Sequence, residues 1–251
     1  MAGELAIAYK SNSQRARVVT EAWGENNLFC PNCSSPKLTR LSHNTKASDF
    51  SCPDCKFWYQ LKGQQSRIGN SVTDGAYETM MKAIQNDQTP NFYFMHYELA
   101  MWSIRNLLLV PSFAFPPSAI IKRNPLAPTA RRAGWVGCNI ALNRIPAEAR
   151  ISIVTEKQIV PANEVRAQFQ RVKPFKEIPV AKRGWMLDVL TAIRSLAKTE
   201  FTNQDIYALV PHFKKLYPNN DHITDKIRQQ LQYLTKAGFL IHLARSEWRL
   251  K

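Results

Sequence analysis

Four cysteines constrain this chain more than any other feature of its sequence. They fall as Cys30-x2-Cys33 and Cys52-x2-Cys55, with eighteen residues between the two pairs. Each pair can bind one ion from a tight turn, and two such turns complete a tetrahedral all-sulfur site, which suits zinc. A closed four-cysteine site leaves no position for water or substrate, so we predict a structural Zn2+ ion. The alternatives are two disulfides or four unrelated buried thiols; the fifth cysteine, Cys138, is predicted to be core packing.

The charge of the chain indicates a polyanionic partner. Its 251 residues, enough for one large or two ordinary domains, include 34 Lys and Arg against 19 Asp and Glu, which gives a net charge of +15. Such a field attracts nucleic acid or an anionic membrane surface. No membrane partner is expected, because no apolar run reaches the ~20 residues that span a bilayer. Residues 1–17 do not match a secretory signal. We therefore expect a cytoplasmic protein of a bacterium or archaeon, in a reducing compartment that favours metal over disulfides.

Hydrophobic periodicity predicts a mixed first domain. Apolar residues at helical spacing predict helices, and aromatic or β-branched runs predict strands. The predicted helices are 13–26 and 72–87, and the predicted strands are 57–62, 92–99, 105–112 and 150–157. This order indicates an α/β or α+β domain.

The C-terminal part has a different pattern. Periodicity fades and prolines and charges increase over 156–183, so we predict domains at 1–181 and 182–251. Helices are predicted over 184–201, from a Thr202 cap onward, and over 222–240 with an end at Gly238, followed by a hairpin over 239–251. Three helices and a strand pair are the order of a winged helix-turn-helix domain.

The last of these helices is the predicted DNA-reading element. We expect Lys226, Arg228, Gln229 and Gln230 on its polar side. Arg and Gln can read guanine and adenine edges in a major groove, while Lys mainly meets phosphate. The alternative is a solvated charged face on an ordinary helical domain, and the net charge of the chain favours DNA.

Several motifs together resemble the DpnI family of methyl-directed restriction endonucleases. In order they are CPNC, DF-x-C-x2-C, a strand ending in LK, DGAY-x-TMMK, PNF, PLAPTARRAGW and KIRQQLQ. The likeness covers nearly the whole chain, and the run at 125–135 is its most specific part. The resemblance implies a PD-(D/E)XK nuclease core with a zinc site, followed by a winged helix. It also implies Mg2+-dependent cleavage of both DNA strands at GATC when the adenine is N6-methylated.

The same resemblance assigns site residues. Asp49 matches the metal-binding aspartate, Lys62 matches the lysine, and the four paired cysteines match the zinc ligands. Gln60 stands where the pattern has glutamate, so Asp49 and Gln60 are the expected Mg2+ ligands, with Gln60 offering only a neutral oxygen. A bound ion would polarise the scissile phosphate, and Lys62 would offset the charge developing on it.

A replacement for the missing carboxylate is predicted in the next helix. Some restriction enzymes of this class take a carboxylate from that position, and Glu78 lies in the first turns of the predicted helix. The alternative is a solvent-facing Glu78 that stabilises the helix N-terminus. Asp74 is a weaker candidate, since Asp followed by Gly also suits a helix cap.

Methyl recognition requires an apolar surface beside hydrogen-bond donors. Arg131, Arg132 and Trp135 supply that combination in a loop-like segment, although a buried core tryptophan is the alternative. Three functions follow: an active methyl-dependent endonuclease, a catalytically impaired reader of adenine-methylated DNA, and a zinc-containing transcription regulator. We favour the first, acting on double-stranded adenine-methylated DNA, and predict a monomer in solution.

Overall fold

The described residues form two compact units, each assembled from separate stretches of chain. The computed structural model describes residues 1–42 and 48–251. Unit 1 comprises Met1–Val72, Asp87–Phe113 and Glu148–Lys173, and unit 2 comprises Thr73–Asn86, Ala114–Ala147 and Pro174–Lys251. The division of the sequence at residue 181 stays a prediction.

The described elements are a mixture of helices and strands, which confirms the predicted α/β class. The helices are α1 (Asn12–Asn27), α2 (Tyr77–Gln85), α3 (Ala162–Val172), α4 (Val180–Ser195), α5 (Asn203–Tyr207), α6 (Val210–Leu216) and α7 (Ile223–Lys236). The strands are β1 (Thr39–Arg40), β2 (Phe50–Ser51), β3 (Trp58–Gln64), β4 (Ser71–Ala76), β5 (Asn91–Glu98), β6 (Ser103–Val110), β7 (Ile120–Lys122), β8 (Gly137–Ala141), β9 (Ile151–Thr155), β10 (Gln158–Ile159), β11 (Glu200–Thr202), β12 (Leu240–Ala244) and β13 (Glu247–Leu250). No helix in the described part of the chain is long and apolar enough to cross a membrane.

Unit 1 is built on a seven-stranded sheet in the order β1-β2-β3-β5-β6-β9-β10. Strands β3 and β5 are parallel, whereas β2 and β3 form an antiparallel pair. Helix α1 approaches this sheet closely because small groups lie at the contact. A Cβ atom on Gly24 would lie 2.6 Å from the ring of Phe50, and one on Gly63 would lie 3.2 Å from Thr20. The hairpin of β2 and β3 is therefore backed by α1.

Unit 2 combines two small sheets with helices. One sheet has the order β4-β8-β7, and the other has the order β11-β13-β12. Helices α4 to α7 and the β12–β13 pair follow the predicted winged-helix order, except that the predicted middle helix is divided into α5 and α6 and is preceded by β11. Thr202 caps α5 through a capping box with Asp205, as expected, and Gly238 adopts a φ of 83° just after α7, which explains the predicted helix end.

Two predicted helix boundaries are wrong. Residues 71–76 form β4 rather than the start of the helix predicted over 72–87, because the segment joins β8 in a sheet and the N–H of Tyr77 donates to the carbonyl of Val136. The helix predicted over 184–201 is α4, which ends at Ser195. The chain then pairs with β13 and buries Phe201 to 3 % exposure. In both places sheet pairing overrides local helical spacing.

Candidate nuclease site and metal centre

The four paired cysteines meet in unit 1. Their sulfur atoms all lie within 4.8 Å of one another, and the Cys30–Cys55 and Cys33–Cys52 sulfur pairs are each 3.5 Å apart. None of the cysteines is bridged by a disulfide. A tetrahedral site with Zn–S bonds of about 2.3 Å places its sulfurs about 3.8 Å apart, so the cluster could hold a zinc ion.

The turns that carry these cysteines are fixed by backbone hydrogen bonds. The N–H of Cys52 donates to the carbonyl of Phe57 (2.9 Å), and Lys56 adopts a φ of 62° to complete this turn. Burial raises the pKa of the Cys52 thiol, but the backbone N–H groups of Cys55 and Asp54 outweigh it and lower the pKa to about 7. Charge on the Cys52 sulfur is thus favoured, as metal binding requires, whereas burial raises the pKa of both thiols of the first cysteine turn.

Helix α3 supports the first cysteine turn from a distant part of the sequence. The Nε atom of Arg166 donates to the carbonyls of Cys30 (3.1 Å) and Cys33 (2.9 Å), and its guanidinium lies 5.1 Å from the ring centre of Phe29. Gln170 donates to the carbonyl of Asn32 (3.0 Å). Nothing in the local sequence around the cysteines indicates this contact, because Arg166 and Cys33 are 133 positions apart.

The hairpin next to the four-cysteine cluster brings Asp49 to the backbone of β3. The Asp49 N–H donates to the carbonyl of Tyr59, and one carboxylate oxygen accepts from the N–H of Leu61, both at 2.8 Å. Tyr59 and Leu61 are buried, whereas Gln60 and Lys62 are partly exposed, because successive side chains of a strand point to opposite faces. Leu61 lies between Gln60 and Lys62 in the chain, so Asp49 is held beside the strand that carries both residues.

A second carboxylate, which sequence reasoning missed, lies close enough to affect Asp49. Burial raises the pKa of Asp49, the Leu61 N–H lowers it, and the charge of Glu21 raises it again. Glu21 is 7 % exposed on α1 and is paired with Arg17 (3.2 Å) and Arg40 (2.5 Å). The one signal in the sequence was an acidic residue within the apolar face of the first helix.

Glu78 lies in unit 2, whereas Asp49, Gln60 and Lys62 belong to unit 1. It is exposed and is the second residue of α2, which matches its predicted place in the first turn. The predicted helix cap at Asp74 is wrong, because Asp74 lies in β4 and Ala76 occupies the N-cap position.

Trp135 lies in a closed basic loop of unit 2. The backbone carbonyl of Leu126 accepts from the N–H of Gly134 (3.0 Å), and the N–H of Leu126 donates to the carbonyl of Trp135 (2.9 Å). These two hydrogen bonds close the loop. The Trp135 ring is partly exposed, packs against Gly137, and carries the guanidinium of Arg132 at 4.7 Å. Like Arg132, Arg131 is exposed. Trp135 is therefore not a buried core residue, which was the alternative to a role in methyl recognition.

Helix α7 places three of its four predicted DNA contacts on the surface. Arg228 and Gln229 are exposed, and Lys226 is partly exposed. The placement of Gln230 on the polar side is wrong, because its side chain is fully buried. Gln230 lies three residues after buried Ile227 and four before Leu234, which puts it on the core stripe of the helix.

Two protein-family models match this chain. The model of the DpnI family, described as the Dam-replacing family, matches residues 1–178. The model of the Dam-replacing HTH domain matches residues 181–250. Together the two matches span most of the chain, so this protein belongs to the DpnI, or Dam-replacing, family and carries that family's C-terminal HTH domain.

Proposed function

We propose that this chain is a methyl-directed restriction endonuclease that cuts both strands of DNA at GATC sites containing N6-methyladenine, with Mg2+ as cofactor. Membership in the DpnI family indicates a nuclease that acts on DNA; the methyl dependence, the site and the metal are the proposal. The observation that carries it is the carboxylate of Asp49, held 2.8 Å from the Leu61 N–H on the strand that bears Gln60 and Lys62.

The residues around Asp49 suit a divalent cation. Mg2+ prefers oxygen ligands, and a positive ion beside the partly exposed Asp49 carboxylate would offset the charge of the buried Glu21, which raises the pKa of Asp49. Asp49 and Gln60 would hold the ion, with Gln60 supplying a neutral amide oxygen. When bound, Mg2+ would polarise the scissile phosphate and lower the pKa of a water ligand. Lys62 would offset the negative charge that develops on the phosphate.

The loop of unit 2 supplies a candidate methyl contact. The methyl group on adenine N6 projects into the major groove as a small apolar group, and the exposed part of the Trp135 ring is an apolar surface of matching character. Arg131 and Arg132 beside it can donate to neighbouring bases or phosphates. We infer that this loop and α7 both take part in reading the methylated site.

A cleavage assay tests the proposal directly. Adenine-methylated and unmethylated plasmids are incubated with the full chain, with and without Mg2+, and Asp49→Asn serves as the inactive control. Fragments only from methylated plasmid with Mg2+ are the expected result. Cleavage of both plasmids, or of neither, would contradict it.

Gln60 favours one second candidate function, a catalytically impaired reader of methylated DNA. The neutral amide of Gln60 weakens Mg2+ binding relative to a carboxylate. Neither the four-cysteine cluster nor the HTH domain requires that Mg2+ ion, so both could still serve DNA binding. A methyl-dependent shift of a labelled duplex without cutting would support this candidate. Binding regardless of methylation would instead support a transcription regulator.

A further inference from the structure

A groove with basic side chains at its sides and a largely apolar surface lies along one side of the winged-helix part of unit 2. It has a volume of about 710 Å3, and its lining comes from α7, the start of α5 and the β12–β13 hairpin. We call it the wing groove and define it by Arg228, Lys236, His242, Arg245 and Trp248. The lining contains three cations, two of them arginines, and no carboxylate. Its chemistry therefore suits an anionic ligand rich in hydrogen-bond acceptors.

The floor of the wing groove is already ordered by its own contacts. Trp248 is 6 % exposed, and its indole N–H donates to the side-chain oxygen of Asn203 (2.8 Å). The Asn203 amide in turn donates to the Ser246 hydroxyl (3.2 Å). The exposed His242 ring lies 4.5 Å from the Trp248 ring. These groups satisfy one another, so the cations at the sides remain the main attraction for a ligand.

Arg228 is positioned at the side of this groove. Its Nε atom donates to the hydroxyl of Tyr207 (3.3 Å), and its Nη1 atom lies 3.7 Å from the exposed carboxylate of Asp225. An exposed ion pair of this kind contributes little stability, so an incoming phosphate can compete with it. The hydrogen bond that Arg228 donates to Tyr207 fixes the direction of the guanidinium.

The exposed surface of α7 has two flanks. Residues Arg228, Gln232 and Lys236 follow each other at intervals of four and line the wing groove. Lys226 and Gln229 do not line it, and the Lys226 ammonium donates to the Gln229 amide oxygen (3.0 Å). The candidate DNA contacts of α7 are therefore split between two surfaces.

We propose that the wing groove binds the sugar–phosphate backbone of one DNA strand, with Arg228, Lys236 and Arg245 on its phosphates, and that base readout by α7 falls to the Lys226–Gln229 flank. The proposal rests on DNA binding by the proposed function and reassigns Arg228 from base contact to phosphate contact. Phosphate contacts set the register of a protein on a duplex and carry no sequence information, so the groove acts identically on methylated and unmethylated DNA.

Binding measurements on the full chain test this division. Fluorescence anisotropy in the absence of Mg2+ gives the affinity for methylated and unmethylated GATC duplexes across a salt series. Arg245→Ala, Lys236→Ala and Arg228→Ala are each expected to weaken both complexes by the same factor. Each should also lower the slope of log affinity against log salt by about 0.9, the value for one lost phosphate contact. The ratio of the affinity for methylated duplex to the affinity for unmethylated duplex should stay constant.

The matched control is Arg249→Ala. Arg249 lies on β13 next to Trp248, outside the groove lining, and is paired with Glu200 at 2.8 Å. It is expected to keep wild-type affinity and salt slope. Gln229→Ala should lower the ratio of methylated to unmethylated affinity without changing the salt slope, because Gln229 is proposed to contact a base.

Several outcomes would overturn the proposal. One is that the groove variants keep the wild-type affinity and salt slope. Another is that Arg228→Ala loses affinity for the methylated duplex alone. The third is that Arg249→Ala loses as much affinity as the groove variants do. A wild-type chain that binds no duplex would sink both this proposal and the proposed function. A wild-type chain that binds both duplexes equally contradicts only the proposed function, since the slopes still test the groove. Any variant with a lowered melting temperature is replaced by its glutamine counterpart.

Discussion

Position 60 carries an amide where the resemblance to the DpnI family predicts a carboxylate, and two glutamates compete to replace it. Glu21 is buried on α1 and raises the pKa of Asp49, whereas Glu78 is exposed on α2 in unit 2. Negative charge near the Mg2+ site increases the affinity of the site for the ion. The carboxylate that replaces the missing ligand should therefore be the one whose removal slows cleavage. Its charge beside Asp49 makes Glu21 a candidate within unit 1, and the role of Glu78 stays a prediction from sequence.

We expect Glu21→Gln to slow Mg2+-dependent cleavage at least tenfold, which corresponds to about 1.4 kcal/mol. Glu78→Gln, changed in the same way at an exposed position, is expected to cut nearly as wild type. Adding Gln60→Glu to Glu21→Gln should recover part of the rate, which a purely structural role of Glu21 would not allow. Single-turnover rates, with zinc content and melting temperature as checks on folding, decide the matter. The reverse ranking of the two variants would restore Glu78 as the replacement.

Trp135 is the residue on which methyl discrimination is predicted to depend. Replacing it with alanine removes the apolar surface but leaves Arg131 and Arg132 in place, so affinity for unmethylated duplex should change little. We expect the ratio of cleavage rates on methylated over unmethylated GATC to fall by about tenfold, or about 1.4 kcal/mol. Trp135→Phe is the matched variant and should retain most of the ratio. An unchanged ratio in Trp135→Ala would remove this residue from the methyl contact.

At the scale of elements, a zinc ion held by the four-cysteine cluster is predicted to fix the hairpin that carries the candidate site. The second cysteine turn joins β2, which follows Asp49, to β3, which bears Gln60 and Lys62. Binding of a structural zinc contributes ~10 kcal/mol or more in small peptides. We therefore expect Cys52→Ser to abolish cleavage and to lower bound zinc. Full activity in a protein without zinc by elemental analysis would contradict this dependence.

Helix α3 provides a milder form of the same test. Arg166→Ala removes hydrogen bonds to the carbonyls of Cys30 and Cys33 but no metal ligand. Hydrogen bonds to a charged group contribute about 1.5–3 kcal/mol each. The Arg166→Ala variant should therefore still bind stoichiometric zinc but lose it to a chelator faster than the wild type does. Arg171→Ala, on the same helix, is the control. Equal rates of zinc loss in the two variants would show that α3 does not support the cluster.

At the scale of the whole molecule, one buried carboxylate links distant parts of unit 2. Asp188 on α4 is 5 % exposed and accepts hydrogen bonds from the hydroxyls of Ser118 and Tyr217, each at 2.5 Å. Ser118 lies in the stretch that matches the first family model, and Tyr217 lies in the HTH match. Burial raises the pKa of Asp188 to about 6. Ionised Asp188 therefore lowers the free energy of unfolding relative to the protonated form.

The sign of the pH dependence follows from this shift. The folded pKa, about 6, lies above the unfolded value of about 3.9, so between them the folded state binds more protons. Lowering the pH from about 7 toward 4 should therefore add up to about 3 kcal/mol from this group to the free energy of unfolding. Asp188→Asn should lack this contribution. Urea unfolding of both proteins between pH 7.5 and 5 measures the difference, and parallel pH profiles would contradict it.

The predicted monomer is also a property of the whole molecule. With one candidate active site per chain, a double-strand cut requires two encounters or a pair formed on DNA. Sedimentation of the free chain at micromolar concentration should give a single species of 28.7 kDa. A stable dimer would overturn this prediction.

The sequence by itself determined the features that depend on short spacing. The cysteine turns, the alternation around Gln60 and Lys62, the capping box at Thr202 and the end of α7 at Gly238 each arise from residues only a few positions apart. Because such contacts are set by local backbone geometry, the pattern of residues predicts them directly.

Only the tertiary structure decided the contacts between distant segments. Glu21 reaches Asp49 because α1 packs on the hairpin through Gly24, and Arg166 reaches the cysteine turn from a helix 133 positions away. Gln230 is buried because the core stripe of α7 passes through it, and residues 71–76 became a strand because a partner strand was available. Periodicity gives the faces of an element, whereas the packing of distant surfaces selects which face is covered and by what.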